Sequence, residues 1–340
     1  MDCTGGCAPD TAQIKANTPL GRAQDLGEPM PVRRKIRERL KAGLHGLFLI
    51  GQRLGWDILP RHFYSGIPDI GELQRSETWK RPVSMAGVGG ADIESQTAFL
   101  RACCLGGLPE RIRRGGIYEY ACQENGETGY GPIEAEFLFC FIATKRPKRI
   151  VQIGCGVSTA VILLAAKEAD YKPELICVEP SPTGYLKRAA ENEVIELIPQ
   201  PAQAVDLEVL TGLDAGDLLF IDSTHTVRPG SEVNRIILEV LPRLPSGSFV
   251  HFHDIYLPYD YQSTVLTELF FAGESTLLHA FLIDNRRYSI AVSLSMLHHA
   301  CPQEIQLLFP SYRPSAMKYG LETAGRGAGH FPTATYLSVP

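Results

Sequence analysis

The sequence predicts an α/β fold. It calls for a seven-stranded, mostly parallel sheet, preceded by a mainly helical N-terminal extension. Three observations predict it. From Arg149 onward, short β-branched runs alternate with apolar helical patterns. The first run ends in a glycine turn, Gly154-Cys155-Gly156, that leads into an apolar helix. Polar and acidic residues then recur just after the strand candidates. Strands separated by helices pair in parallel and are covered on both faces.

Composition sets limits first. A chain of 340 residues with 44% hydrophobic content can bury a large core. The net charge of -5 and pI near 6.0 give no global basic field of the kind that draws nucleic acid. The nine cysteines are scattered with no C-x-x-C pair, which fits reduced thiols and a cytoplasmic location. "MDCTGGCAPD" lacks the basic-then-apolar layout of a signal peptide. No apolar run approaches the roughly 20 residues of a membrane span.

Residues 1–30, rich in Gly, Pro, Ala and Thr, read as a disordered tail. The extension covers 31–117. Its first segment, Val32 to Trp56, starts basic and turns apolar, as one helix. That helix packs on its own domain, contacts a second copy in a homodimer, or lies on a membrane surface. "PRHFYSGIPDIGEL" follows as a loop, with Tyr64 a candidate for an acceptor-binding wall. "ADIESQTAFLRACCLGGL" has helical spacing.

From Tyr118 to Pro340 a second domain is expected. A helix over Pro132–Thr144 has Pro132 at its start and Glu134 and Glu136 in the first turn, which suits the helix dipole. Strands are expected at "RIVQIG", "ELICVEP", "VIELIPQ", "DLLFIDS", "SFVHFHD", "LHAFLID" through "YSIAVSL", and "ATYLSV". Helices are expected at 159–168, 183–191, 231–241 and 262–272.

In such a sheet the ligand sits at the carboxyl ends of the strands, beside the point where strand order reverses. Gly154 and Gly156 let the backbone approach a ligand, and the helix starting near Ser158 offers free N–H groups. Glu179 ends the second strand at about the spacing expected in one βαβ unit, where a carboxylate binds ribose hydroxyls. The lesser alternative is that it caps the next helix. Asp222 ends the fourth strand, with His225 three residues on; His253 and Asp254 end the fifth. Asp222, His253 and Asp254 offer oxygen and nitrogen ligands to a divalent cation. A histidine of ordinary pKa near ~6.5, such as His225, is suited to taking a proton. His251 reads as a satisfied core histidine.

These residues together resemble the class I S-adenosylmethionine-dependent methyltransferases, whose Rossmann-like sheet implies an antiparallel C-terminal edge hairpin, here from "YSIAVSL" and "ATYLSV". The resemblance runs through "VQIGCGVST", "VEPSP", "QPAQAVD", "LLFIDSTHTVRPGSEVN" and "LPSGSFVHFHDIYLPYDY". With "HFYSGIPD", it extends to a bacterial subgroup of sugar and natural-product O-methyltransferases. The resemblance implies S-adenosylmethionine as cofactor. Gly154, Gly156 and Ser158 would hold its methionine and ribose portions, Glu179 its ribose, and Ala202 and Gln203 its adenine. Tyr130, in "GYGPIEAE", would lie near the cofactor carboxylate or the acceptor. Asp222 would lie between cofactor and acceptor. The metal-dependent members have a carboxylate where His253 stands, which shifts an implied metal from magnesium toward a softer ion. Tyr256 and Tyr259 would join Tyr64 as acceptor wall.

The implied reaction is direct displacement onto a small-molecule hydroxyl, with His225 and Asp222 catalytic. N- or carboxyl-methylation on the same fold, a nicotinamide-dependent oxidoreductase, and a catalytically dead scaffold are the alternatives.

Overall fold

The computed structural model describes residues 31–76, 80–260, 263–266, 270–315 and 329–340. The expected tail, 1–30, lies outside them. Contacts divide the chain into two units, 1–66 and 67–340. In the first, α1 (Pro31–Arg53) is closed by a turn in which the Trp56 N–H donates to the Gly51 carbonyl at 2.8 Å.

The second unit opens with α2 (Ile70–Arg75) and α3 (Ile93–Cys103), capped by the carboxylates of Asp69 and Asp92. Next come α4 (Leu108–Arg114), α5 (Ile117–Asn125) and α6 (Pro132–Lys145). The division at Gly66/Ile67 groups α3 and α4 with the sheet, whereas the sequence reading placed them in the extension with α1. Helix α6 is buried on nearly every face, so it is apolar all round. Phe137, Phe139 and Phe141 are fully enclosed, each worth about 2 kcal/mol in transfer from water. Glu134 and Glu136 are buried with them. The Glu134 carboxylate accepts from the Thr333 N–H at 2.9 Å, and Glu136 accepts from the Ser311 hydroxyl. Tertiary contacts therefore hold these two acids, beyond the helix dipole.

The sheet contains β1 (Arg149–Ile153), β2 (Glu174–Val178), β3 (Glu196–Ile198), β4 (Leu218–Ile221), β5 (Phe249–Phe252), β6 (Ser289–Ser293) and β7 (Thr335–Ser338). Their order is β3-β2-β1-β4-β5-β7-β6. The first five run parallel; β7 lies antiparallel between β5 and β6. The order reverses between β1 and β4. Connecting helices α7 (Val157–Glu168), α8 (Gly184–Glu191), α9 (Leu207–Thr211) and α10 (Glu232–Arg235) follow β1 to β4, and α10 runs on into a π-helical turn. Two apolar cores, one on each face, hold the layers together.

After β5 the structure departs from expectation. Within the helix expected over 262–272, Ser263–Leu266 forms a short turn of 3-10 helix and 270–272 are not helical, while 261–262 and 267–269 lie outside the described residues. "LHAFLID" is not a strand: helix α11 spans Glu274–Leu282. A short apolar run fits a buried helix as well as a strand. The choice is made by packing of Leu278 and Leu282 into one core. Helices α12 (Leu294–Ala300) and α13 (Pro302–Leu308) separate β6 from β7, so the antiparallel pair is not a tight hairpin.

Candidate active site

A cavity of about 260 Å³ opens at the carboxyl ends of β1, β2 and β4. Gly154, Glu179, Ala202, Gln203 and Asp222 all line it, together with Arg228 and Glu232. Five of the expected cofactor residues thus meet in one cleft beside the reversal of strand order. The Glu179 carboxylate accepts from the Cys155 N–H at 3.2 Å and from the Ser181 N–H at 2.9 Å. It does not cap α8, which Thr183 caps. Each carboxylate oxygen keeps a further acceptor position for a ligand hydroxyl. Arg235 donates to the Ala202 carbonyl at 2.9 Å and pins the loop after β3.

The glycine turn is shaped by its neighbours. Gly154 has φ +80°, and a Cβ there would lie 1.6 Å from the Asp222 carbonyl oxygen. Only glycine lets β1 and β4 end so close together. Ser158 is buried, and its hydroxyl accepts from the Gln152 amide at 2.8 Å. Thr159 donates to the same Gln152 at 2.9 Å and accepts from the Gly156 N–H. The Ser158 hydroxyl braces the turn from beneath, which leaves backbone N–H groups as its means of meeting a ligand. Gln152, inside β1, was not legible as a site residue because it sits in an apolar strand pattern.

Beside the cleft, four expected residues form a polar cluster. His225 Nε2 lies 3.5 Å from Asp222 Oδ1 and 3.5 Å from Asp254 Oδ2. His253 Nδ1 lies 3.3 Å from Asp222 Oδ1 and 3.6 Å from Asp254 Oδ2. His225 (φ 57°), Asp254 (φ 52°) and Tyr130 (φ 50°) all adopt the left-handed backbone region, which side chains other than glycine rarely enter. Such outliers concentrate at functional sites.

The start of α11 organises this cluster, and sequence reading missed it. Glu274 is fully buried, and its Oε2 lies 2.7 Å from His225 Nδ1. The N–H groups of Gly273 and Glu274 both donate to the His225 carbonyl, at 3.0 and 3.2 Å. Ser275 accepts from the Tyr256 N–H and donates to the Asp254 carbonyl. The only signal available was an acid following a glycine, ahead of an apolar run taken for a strand.

Charge in the cluster is coupled. Burial alone would lower the His225 pKa, but hydrogen bonds to Asp222 and Glu274 outweigh it and raise it to about 11. This differs from the ordinary value expected from the sequence. Burial also opposes charge on His253, yet Asp254 and Asp222 raise it to about 9. Burial would raise Asp222, but His253 and His225 hold it well below the usual carboxylate range. Glu274 and Glu134 are pushed up by burial. The surrounding carboxylates favour the charged form of both imidazoles, so His225 serves as a base only once it has released its own proton. A metal-bound imidazole nitrogen must lose its proton. Among the described residues no group of three or more His, Cys, Asp or Glu is arranged to hold a metal ion. Asp222, His253 and Asp254 do come together, as ion pairs.

Tyr130 is buried, its hydroxyl 3.1 Å from His251 Nε2 and its ring centroid 4.8 Å from that of His253. It supports the cluster from below. His251 is stacked on Phe220 at 4.0 Å, and burial holds its pKa well below the usual value. Its Nδ1 has no hydrogen-bond partner among the described residues, so only one nitrogen is satisfied. Tyr256 is 4% exposed and stacks on Phe331, inside the fold and not on an open wall. Tyr259 is half-buried, its ring 4.8 Å from His299. Tyr64 belongs to the first unit, exposed beside Phe63.

Comparison with known proteins bears on the same region. Residues 151–255 match a family model described as "Methyltransferase domain". An uncharacterized protein of Archaeoglobus fulgidus is 30% identical over 192 residues, 55% of this chain and 85% of that protein. Among solved structures, the SAH-bound methyltransferase PaMTH1 of Podospora anserina is 15% identical, with a TM-score of 0.38 over 83% of this chain and 98% of that one. The SAH-bound plantazolicin methyltransferase BpumL is 13% identical, with a TM-score of 0.36 over 73% and 96%.

Proposed function

We propose that this chain, which matches a methyltransferase domain over residues 151–255, is an S-adenosylmethionine-dependent methyltransferase that methylates a hydroxyl group of a small molecule, with His225 receiving the hydroxyl proton. One observation carries this reading. Asp222 lines the cofactor cleft with Glu179 and Gln203, and its carboxylate also touches His225 and His253. The place where a cofactor would end and the place where a proton can be taken share one residue.

The residues of the cleft fit the cofactor. Glu179 would accept from the ribose hydroxyls, and Ala202 and Gln203 would lie along the adenine. Gly154, Gly156 and Ser158 would present backbone to the methionine portion. When bound, S-adenosylmethionine supplies a methyl group on a sulfonium, open to direct displacement. The protein aligns the acceptor, and alignment supplies much of the rate. Glu274 holds the Nδ1 side of His225 and leaves Nε2 as the face that exchanges the acceptor's proton. Asp222 and Asp254 keep Nε2 in place and balance the charge. No step is assigned to a cation. Tyr259 stays as a candidate contact to the acceptor. A sugar or natural-product hydroxyl remains the preferred acceptor class, on family likeness. A cytoplasmic location goes with this reading, from the free thiols.

The test is turnover of His225→Gln. S-adenosylhomocysteine formation would be followed with a panel of hydroxylated small molecules, carboxylic acids and amines. Hydroxyl methylation by the wild type and a fall of about 10²-fold or more in the variant support the reading. Methylation of carboxylic acids at an undiminished rate in the variant would favour the carboxyl alternative, since a carboxylate needs no base.

A further inference from the structure

Helix α1 is not used by the site described above, and its chemistry is distinctive. Over Pro31–Arg53 it carries seven basic residues and a single acid, Glu38. The whole chain has a net charge of -5, so the helix stands at +6 within a protein that is otherwise at -11. Five of its apolar residues fall on one side, with Leu49 exposed on the opposite one. Ile36, Leu40, Leu44, Leu47 and Ile50 follow a helical period and cover an arc of about 120° at 100° per residue. All five are exposed, and Leu40 is 64% exposed. Beyond the helix, Trp56 and Phe63 add exposed aromatics, at 70% and 93%. Exposed aromatic and aliphatic side chains in one short stretch mark an interaction surface.

We propose that α1 binds the surface of a membrane containing anionic phospholipid, lying in the headgroup plane with its leucine face inserted. Charge complementarity selects this occupant. Arg39 is exposed at the border of the apolar arc and Lys41 on the face beyond it, and Arg33, Arg34, Lys35 and Arg37 occupy the first turns. A basic amphipathic helix with tryptophan and phenylalanine beside it gains from both lipid charge and apolar burial. A second copy of a helix at +6 would bring like charge against like. No helix among the described residues is long and apolar enough to cross a membrane, so the attachment is peripheral.

The experiment is vesicle flotation of the full chain at low salt. Vesicles of phosphatidylcholine alone are compared with vesicles holding about 30% phosphatidylglycerol. The expected result is binding to the anionic vesicles only, reversed by salt. Arg39→Glu with Lys41→Glu should weaken it by about 30-fold or more, at roughly tenfold or less per basic residue removed. Leu44→Asp with Leu47→Asp should abolish it. Both double variants should keep the wild-type melting temperature in the presence of S-adenosylhomocysteine, which shows that the second unit is intact. Absence of binding to anionic vesicles overturns the proposal. So does binding that both variants leave unchanged. A concentration-dependent dimer that Leu44→Asp with Leu47→Asp dissolves, without vesicle binding, would assign the face to a second copy instead.

Discussion

Glu274 grips His225 twice: its carboxylate Oε2 lies 2.7 Å from the imidazole Nδ1, and its N–H donates to the His225 carbonyl at 3.2 Å. The side chain sets the direction of the ring and the backbone sets its position. Glu274→Gln keeps the shape and removes the charge. We expect kcat to fall about 10²-fold while the S-adenosylhomocysteine affinity stays near wild type. Titration calorimetry beside steady-state kinetics separates the two. A loss of affinity equal to the loss of kcat would make Glu274 a general structural support.

Gly154 faces the Asp222 carbonyl so closely that a methyl group cannot be placed there. Gly154→Ala also forces alanine to φ +80°. The expected cost is about 3 kcal/mol or more, read as a large drop in melting temperature or loss of folded protein. A variant that melts like wild type would mean that β1 and β4 can part without penalty.

Glu136 supplies a pH dependence away from the site. Its pKa is raised from the ordinary 4.5 to about 7, first by burial, with the Ser311 hydroxyl acting in the opposite direction. The folded state therefore holds a proton that the unfolded state has released between about pH 4.5 and about pH 7. Stability falls as pH rises through that window, by on the order of 3 kcal/mol. Glu136→Gln removes the titration and can keep the contact with Ser311. Melting temperatures at about pH 5 and about pH 8 should differ less in the variant than in wild type. An equal difference in both would place the carboxylate in contact with water.

Chelation separates the ion-pair cluster from a metal site. Prolonged treatment with EDTA should leave methyl transfer unchanged, because the carboxylates of Asp222 and Asp254 are already engaged by His225 and His253. Loss of turnover that magnesium or a softer divalent ion restores would return Asp222, His253 and Asp254 to the role of ligands.

Much of this protein was readable from local pattern. Alternation of β-branched runs with helical runs is a short-range signal, and it determined the parallel sheet; the antiparallel strands at its edge came from the resemblance. Spacing determined that Gly154, Glu179 and Asp222 would stand at strand ends, because side chains at the ends of parallel strands share one rim. Ala202 and Gln203 came from the resemblance and join them in the same cleft. Only the tertiary structure decided what those residues face. Ser158 turned under to Gln152, since a hydroxyl beside a buried amide is better satisfied there than in the cleft. "LHAFLID" became helix because its leucines found a core, which no seven-residue window contains. The partner of His225 comes from 49 residues away, and its pKa follows from three carboxylates that only folding assembles. Periodicity is local and survives in the sequence. Electrostatic environment is a property of neighbours in space, and the chain order does not contain it.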